Sequence, residues 1–305
     1  MALAWRKGVA TERPEVSDRR RADELNERGR ALADHGQMEA AAELYRQAVE
    51  ADPELGAAWF NLGLVHKWQR AWQPAIECNL RAVGLGAGEG DPAWWNLGIA
   101  ATALRRWELA REAWRSYGVA VPPGRGPLDM DLGLTPVRLN PSAEAEIVWC
   151  TRIDPARAVV HNIPLPRSGH RWGDVILHDG AFNGERVLDG VAYGVFDELE
   201  RWEASKVPTI QVEALCAAEV DADRLVALFE EAGWAAEDWT RSVVALCASC
   251  SHGAADTEHP HGPGEWNSER SFGLAAPPSA AVDLLRSWEM ERRQTRHPGS
   301  LEVVG

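Results

Sequence analysis

"AAWFNLGLVHKW" at residues 57–68 and "PAWWNLGIAATA" at residues 92–103 are two copies of one pattern, in which a Trp is followed three residues later by Leu-Gly. The copies belong to a longer internal repeat. Small residues recur at intervals of 34 and 35 residues in two independent series, Gly29, Gly63 and Gly98, and Ala41, Ala75 and Ala110. Two series with one period indicate a repeat architecture.

The pattern resembles the tetratricopeptide repeat. In that family two antiparallel helices cross closely at small residues, and a bulky residue fills the neighbouring gap. The resemblance covers three repeats over residues 17–121. The first repeat departs from the pattern, with Leu25 and Arg28 where Trp and Leu are expected, and the second has Asn79 where an aromatic residue is usual.

The repeat predicts three pairs of helices. Asp52-Pro53 and Asp91-Pro92 each offer a capping carboxylate followed by a proline suited to a first helical turn, and Gly36 stands where a helix should end. The predicted helices are 18–35, 38–51, 55–69, 72–84, 91–104 and 107–120. Each pair buries its apolar face only by stacking on the next pair, and three pairs are about the minimum for a stable stack.

The resemblance implies a concave groove that is lined by the first helix of each pair and takes up peptide segments. On the family's pattern the groove residues are Phe60, Asn61, Leu64, Lys67, Trp68, Trp95, Asn96 and Thr102. A side-chain amide can pair with a peptide backbone of any sequence, and an exposed indole is a natural anchor for a partner. Trp68 and Trp95 are equally compatible with core packing. The several basic residues of a carboxylate clamp are absent, which disfavours binding of chaperone tails.

The rest of the chain predicts an α+β multidomain protein, in which the helical repeat stack is followed by β-rich units. Residues 1–16 are expected to be a disordered tail. Residues 122–144 concentrate Pro and Gly, which predicts a linker or an extended segment lying on a neighbour. Residues 145–207 form a small β-rich unit, ending in an amphipathic helical turn or two at 196–205.

Residues 208–305 show the order strand, helix, strand, strand, helix, strand, with the second strand expected at 241–249. This is the order of the ferredoxin-like split motif, in which two helices cover one face of an antiparallel sheet. The motif occurs in regulators, carriers and enzymes, so it indicates no function by itself.

"LCASCSHGAADTEHPHG" at residues 246–262 predicts a metal site in this domain. Its candidate ligands are Cys247, Cys250, His252, His259 and His261. Cys thiolate and His imidazole are the ligands that zinc prefers, and four are needed for a closed tetrahedral site. The sequence therefore favours a zinc-stabilised loop. A solvated polar loop, catalytic metal or thiol chemistry, and redox sensing by the two cysteines stay open as alternatives.

A second polar cluster, in residues 170–179, suggests a different function. His170, Asp174 and His178 lie close together in sequence and resemble the residue types of a hydrolase or deaminase centre, whereas Asp179-Gly180 is typical of a hairpin turn. The alternative function is accordingly an enzyme of metal-assisted hydrolase type, whose C-terminal part acts on a substrate that the repeats recruit.

Composition limits the partners. A net charge of -14 repels nucleic acid and anionic membranes, and the chain has neither a signal peptide nor an apolar run long enough to span a bilayer. We therefore expect a bacterial cytoplasmic protein whose five cysteines are reduced thiols or metal ligands. Its predicted function is that of an adaptor, assembly factor or inhibitor that binds another protein or peptide through the groove.

Overall fold

The computed structural model describes residues 16–86, 88–188, 190–241 and 266–305. The chain forms two compact units, Met1–Arg125 and Gly126–Gly305. The predicted disordered tail lies outside the described residues except for Val16, where the first helix begins. No helix in the described ranges is both long and apolar enough to cross a bilayer.

The described part of the first unit contains six helices in three antiparallel pairs, with bounds within three residues of those predicted. They are α1 (Val16–Asp34), α2 (Met38–Ala51), α3 (Gly56–Trp68), α4 (Trp72–Gly84), α5 (Pro92–Ala103) and α6 (Trp107–Tyr117). The Asp91 carboxylate caps α5 by accepting a hydrogen bond of 2.8 Å from the Ala93 backbone N–H. Gly36 follows α1 with a φ of +74°, a conformation that glycine adopts without strain.

The repeated glycines are the points where the two helices of a pair cross. A Cβ on Gly98 would lie 2.6 Å from the Trp114 ring, and one on Gly29 would lie 2.6 Å from the Tyr45 ring. In the second repeat Asn79 replaces the ring, and its Nδ2 donates a 2.8 Å hydrogen bond to the Ala75 carbonyl. The amide therefore fills the gap at Gly63 by bonding to its own helix, and its Oδ1 has no hydrogen-bond partner among the described residues.

The second unit begins with a five-stranded barrel. Its strands are β1 (Leu134–Leu139), β2 (Glu146–Arg152), β3 (Arg157–Val160), β4 (Val175–Leu188) and β5 (Val191–Glu203). Neighbouring strands pair antiparallel, and the barrel closes by parallel pairing of β1 with β5. Its core consists of small and branched apolar residues and one aromatic residue: Val137, Leu139, Val148, Cys150, Ala158, Val160, Ile176 and Phe196.

Strand β1 lies within residues 122–144, which the sequence predicted to be a linker or an extended segment, and it is a strand of the barrel. Five of its six residues are buried. Pro136 has no backbone N–H to donate, but the strand still pairs along its length with β2. Arg138 is buried because its guanidinium donates a 2.8 Å hydrogen bond to Asp197 of β5.

Strands β4 and β5 differ from the sequence prediction in two places. Asp179-Gly180 lies inside β4 and makes no hairpin turn, because the two strands turn between Leu188 and Val191, where Gly190 has a φ of +78°. The helical turn predicted at 196–205 is wrong, because β5 extends through Glu203. Asp197 and Glu198 of this strand are buried in ion pairs instead of forming the solvated face of a helix.

The remaining elements are β6 (Thr209–Cys216), α7 (Glu219–Glu231), β7 (Ala235–Asp238), β8 (Glu269–Ala275), α8 (Pro278–Glu291) and β9 (Arg296–Val303). The strands form an antiparallel sheet in the order β7-β8-β6-β9, so the described residues hold nine strands in two sheets. Side chains of α7 and α8, among them Phe229, Leu285 and Trp288, pack against one face of it. The second strand comes earlier than predicted, and residues 242–249 of the expected range lie outside the described residues.

Candidate functional site

Hydrogen bonds between side chains connect the first helices of successive repeats on the predicted groove side. Asn61 of α3 donates a 2.9 Å bond to Asn26 of α1, and Lys67 of α3 donates a 3.1 Å bond to Asn96 of α5. The amides predicted to meet a peptide backbone are thus already bonded within the stack. Asn26 was not among the predicted groove residues, although the 34-residue spacing of the first two repeats aligns it with Phe60, which was.

Helix α3 presents an apolar stripe on this side of the stack. Phe60, Leu64 and Trp68 stand four residues apart, which places them on one face of the helix. Phe60 and Leu64 are half-buried, whereas Trp68 is 42% exposed. The Lys67 ammonium lies 5.0 Å from the centroid of the Trp68 ring, within the range of a cation–π contact. We refer to these three apolar residues as the α3 stripe.

Helix α5 is less accessible than the repeat pattern predicts. Asn96 is 5% exposed and Thr102 is 1% exposed, and Lys67 is also buried. Trp95 is half-buried and meets Trp114 and Tyr117 edge-on, with ring centroids 4.9 and 4.8 Å apart. This helix is apolar around its circumference, a composition typical of a buried helix. Of the eight predicted groove residues, Lys67, Asn96 and Thr102 are therefore buried, the α3 stripe, Asn61 and Trp95 keep accessible surface, and Trp68 is the most exposed.

Helix α1 adds charged side chains to the same side of the stack. Asp23, Glu27, Arg30 and Asp34 are exposed and flank the face that carries Asn26. Arg30 donates a 3.1 Å hydrogen bond to Glu27, which leaves an excess of carboxylates on this helix face. The sequence analysis did not include these residues because the first repeat lacks the Trp and Leu that mark the others.

The polar cluster at 170–179 is built into the barrel. His170 lies 2.7 Å from the Glu198 carboxylate and 2.9 Å from the Ser168 carbonyl, and both His170 and Glu198 are buried. Burial alone lowers the pKa of His170, but the hydrogen bond and charge of Glu198 outweigh it and the pKa is raised. Asp174 is fully buried and accepts hydrogen bonds from the backbone N–H groups of Arg171 and Ser205.

His178 is also a barrel residue. It is fully buried, its Nδ1 lies 2.7 Å from the Asp179 carbonyl, and its ring stacks 4.5 Å from that of Phe196. Burial lowers its pKa to about 3, so the imidazole is neutral at physiological pH. Each of the three residues proposed for a hydrolase centre is thus held by its own bond to the barrel, and these contacts favour a structural role.

The predicted zinc ligands Cys247, Cys250, His252, His259 and His261 lie outside the described residues. Within the described ranges, no three His, Cys, Asp or Glu side chains are grouped so that they could hold a metal. Cys78, Cys150 and Cys216 are buried, as predicted for small core residues. Burial raises the pKa of the Cys78 and Cys216 thiols to about 12, so these two side chains are uncharged.

The described residues on either side of 242–265, the range that contains the Cys/His segment (246–262), contact the second sheet. Arg270 forms a buried ion pair with Asp238 at the end of β7, and its guanidinium lies 4.5 Å from the centroid of the Trp266 ring. The Trp266 indole N–H donates a 2.9 Å hydrogen bond to the Cys216 carbonyl, and Thr240 accepts one of 2.8 Å from the Ser271 N–H. The chain therefore leaves and re-enters the sheet at fixed points.

A family model described as TPR repeat matches residues 29–69, which cover the second half of the first repeat and α3. The N-terminal part of the chain is a tetratricopeptide-repeat stack. The helix crossings agree with this family, because the glycines that repeat in the sequence are also the residues at which the two helices of a pair approach each other closely.

Several solved structures resemble this stack. YrrB, described as a TPR protein with an unusual peptide-binding site, is 22% identical with a TM-score of 0.30 over 31% of this chain and 48% of its own. The second TPR of Spaghetti, bound to an HSP90 peptide, is 20% identical with a TM-score of 0.32 over 33% of this chain and 93% of its own. MamA is 25% identical with a TM-score of 0.30 over 32% of this chain and 56% of its own. The match therefore spans about half the length of YrrB. No curated protein matches the chain.

Proposed function

We propose that this protein binds a peptide segment of another protein on the inner surface formed by α1 and α3, and that it acts as an adaptor, assembly factor or inhibitor. The observation that carries the proposal is the α3 stripe, whose Trp68 is 42% exposed and whose Phe60 and Leu64 are half-buried. Large amphipathic side chains such as Trp dominate binding energies when a partner buries them. The repeat stack holds the stripe on a rigid scaffold, which reduces the entropy cost of binding.

Neighbouring polar groups suit a peptide partner. Asn61 is half-buried, and the amide that donates to Asn26 has a second N–H and a carbonyl oxygen with which to meet a peptide backbone. Phe60 and Leu64 supply apolar contacts beside it. A bound segment would therefore find backbone partners and side-chain contacts on the same helix.

Replacing Phe60 and Trp68 together with Ala is expected to weaken peptide binding by about 30-fold or more, because the loss of a hot-spot side chain costs about 2 kcal/mol. The measurement begins with peptides selected from a displayed random library on the wild-type protein. Their Kd for each variant is then determined by fluorescence anisotropy.

The control for this pair is Leu85→Ala, which removes an exposed apolar side chain from the loop after α4. It should bind the selected peptides like the wild type, and circular dichroism should show that every variant is folded. Equal affinities for the Phe60/Trp68 variant and the wild type would refute the assignment of the binding surface.

We also propose that the second sheet with α7 and α8 is a ferredoxin-like domain. Its element order and its strand order β7-β8-β6-β9 support this assignment, as do the two helices on one face. Since this fold accommodates many functions, the proposal concerns architecture alone.

We further propose that the Cys/His segment of this domain binds one structural zinc ion. Its residue types and the anchored ends of the segment support the proposal, because closing a loop in advance lowers the entropy cost of bringing ligands together. The purified protein is expected to contain one equivalent of zinc, and Cys247→Ser with Cys250→Ser should lose it. Elemental analysis after expression in zinc-supplemented medium checks this result.

Cys78→Ala is the control for the zinc measurement, because Cys78 is buried in α4 and should leave the zinc content unchanged. A strong chelator should also lower the melting temperature of the wild type and leave that of the Cys247/Cys250 variant unaltered. The site would be ruled out if the purified wild-type protein contained no zinc and if neither zinc nor chelator changed its melting temperature.

A further inference from the structure

We infer that the segment bound on the inner surface is basic as well as apolar, so that the preferred partner carries Lys or Arg beside its apolar anchors. This inference rests on the proposed function and specifies the chemistry of the partner. It draws on the different character of the helices that form the surface. On the side of Asn26, α1 carries the exposed carboxylates Asp23 and Asp34, whereas α3 presents the apolar stripe and α5 is largely buried.

The acidic side chains of α1 are placed where a segment lying on the α3 stripe would meet them. The core side of α1 is formed by Ala22, Leu25 and Gly29, whereas Asn26 lies at the border with α3, to which it is bonded. Asp23 is three residues before Asn26 and therefore close to it on the helix surface. Asp34 lies one turn beyond Arg30 and two turns beyond Glu27, on the same exposed side of the helix.

The charges on this surface are unbalanced. Arg30 is paired with Glu27 at 3.1 Å, and Arg19, two turns before Asn26, is paired with Glu54 at 3.7 Å. Asp23 and Asp34 therefore add two negative charges that these two Arg residues do not offset. The α3 stripe contains no acidic residue, and Lys67 is 4% exposed with its ammonium bonded to Asn96. A cationic partner would therefore gain attraction along α1 and meet little repulsion from α3.

The whole chain favours the same sign of partner. Its net charge of -14 gives an attractive long-range field for cationic segments and a repulsive one for acidic segments. The local carboxylates then fix where the positive charges are placed. This preference is opposite to that of a groove that clamps a carboxylate with several basic residues.

The test uses three labelled peptides of equal length that share apolar residues at alternate positions and differ at the others, which are Lys, Gln or Glu. Each exposed charge pair changes affinity by up to about fivefold, so the Lys peptide should bind the full-length protein about tenfold more tightly than the Gln peptide. The Glu peptide should bind more weakly than both. The preference for Lys should shrink as salt is raised, because the charges on this surface are exposed to solvent.

Charge reversal locates the effect. Asp23→Lys with Asp34→Lys should abolish or invert the preference for the Lys peptide, whereas Glu39→Lys with Glu50→Lys, on the exposed surface of α2, changes the net charge equally and should preserve most of it. If both double variants shift the preference equally, the net charge of the protein selects the peptide and the inference about α1 is overturned.

The remaining outcomes separate the two proposals. Equal binding of all three peptides, lost on Phe60→Ala with Trp68→Ala, would leave the binding surface intact and refute the basic preference. Binding that is indifferent to Phe60 and Trp68 would refute the proposed function itself, and so would the failure of all three peptides and of the displayed library to bind. In both of those cases the inference about a basic partner would be refuted together with the proposed function.

Discussion

Replacing Arg296 with Met is expected to destabilise the second unit by about 3–5 kcal/mol, the usual cost of removing one partner of a buried ion pair. Arg296 begins β9 and is 3% exposed. Its guanidinium donates hydrogen bonds to Asp221 at 2.7 Å, to the Trp288 carbonyl at 3.1 Å and to Glu291 at 2.7 Å. One side chain thus connects α7, α8 and the sheet.

The large cost arises from what the substitution leaves behind. Asp221 is 1% exposed, and without Arg296 its carboxylate keeps, among the described residues, one cation, Arg292, at 3.9 Å. A buried charge with so little compensation is expensive, whereas a Met side chain can occupy the volume of the Arg stem. Removing both charges with Asp221→Asn in the Arg296→Met background should therefore recover part of the stability.

Thermal and urea unfolding followed by circular dichroism measure the loss, and hydrogen exchange should place it in α7, α8 and β9. Arg224→Met is the matched control, since Arg224 bonds to the same Glu291 from an exposed position. Exposed ion pairs contribute little, so this control should shift the melting temperature several-fold less. Similar shifts for Arg224→Met and Arg296→Met would contradict the argument from burial.

The helical part of the fold could be predicted from sequence because its packing rule is local and repeated. Each pair of helices needs a small residue opposite a bulky one at fixed spacing, and Gly29 with Tyr45 and Gly98 with Trp114 supply these contacts. The 34-residue spacing of the first two repeats also aligns Asn26 with Phe60, but Asn26 was overlooked because the first repeat lacks its consensus Trp. The positions of the contacts between helices can therefore be recognised in the sequence even where one repeat departs from the consensus.

The barrel could not be predicted to the same extent because its strands depend on partners that are distant in sequence. In the sequence, Asp197 and Glu198 have the pattern of the polar face of a helix. In the structure both are buried, with Asp197 bonded to Arg138 and Glu198 bonded to His170. Such pairings are invisible in a local pattern. Gly133 and Pro136 favoured a linker in this part of the chain. Residues 134–139 nevertheless form strand β1, because they pair with β2.

The accessibility of the predicted groove residues agrees with the sequence prediction only in part. The repeat pattern identified the α3 stripe, which the structure leaves accessible, but it also included Asn96 and Thr102, which are buried. The family pattern says which side chains point inward, whereas burial depends on what surrounds each helix. A uniformly apolar helix such as α5 should therefore be discounted as a contact surface when sequence alone is available.

Replacing Trp114 with Ala is expected to destabilise the repeat stack by about 3–5 kcal/mol, as for other fully buried Trp side chains. Trp114 is 0% exposed, and its ring covers Gly98. Trp68→Ala is the matched control, because this indole is 42% exposed and its loss should affect binding far more than stability. Thermal unfolding of both variants gives the comparison, and equal losses would contradict the division between core and surface indoles.

A double-mutant cycle with Gly98→Ala tests the contact itself. In the wild type the new Cβ would lie 2.6 Å from the Trp114 ring, and this overpacking should cost about 1–3 kcal/mol. In the Trp114→Ala background the ring is gone, so the same substitution should be neutral or stabilising through the higher helix propensity of Ala. Equal effects of Gly98→Ala in the two backgrounds would show that the crossing does not depend on this pair.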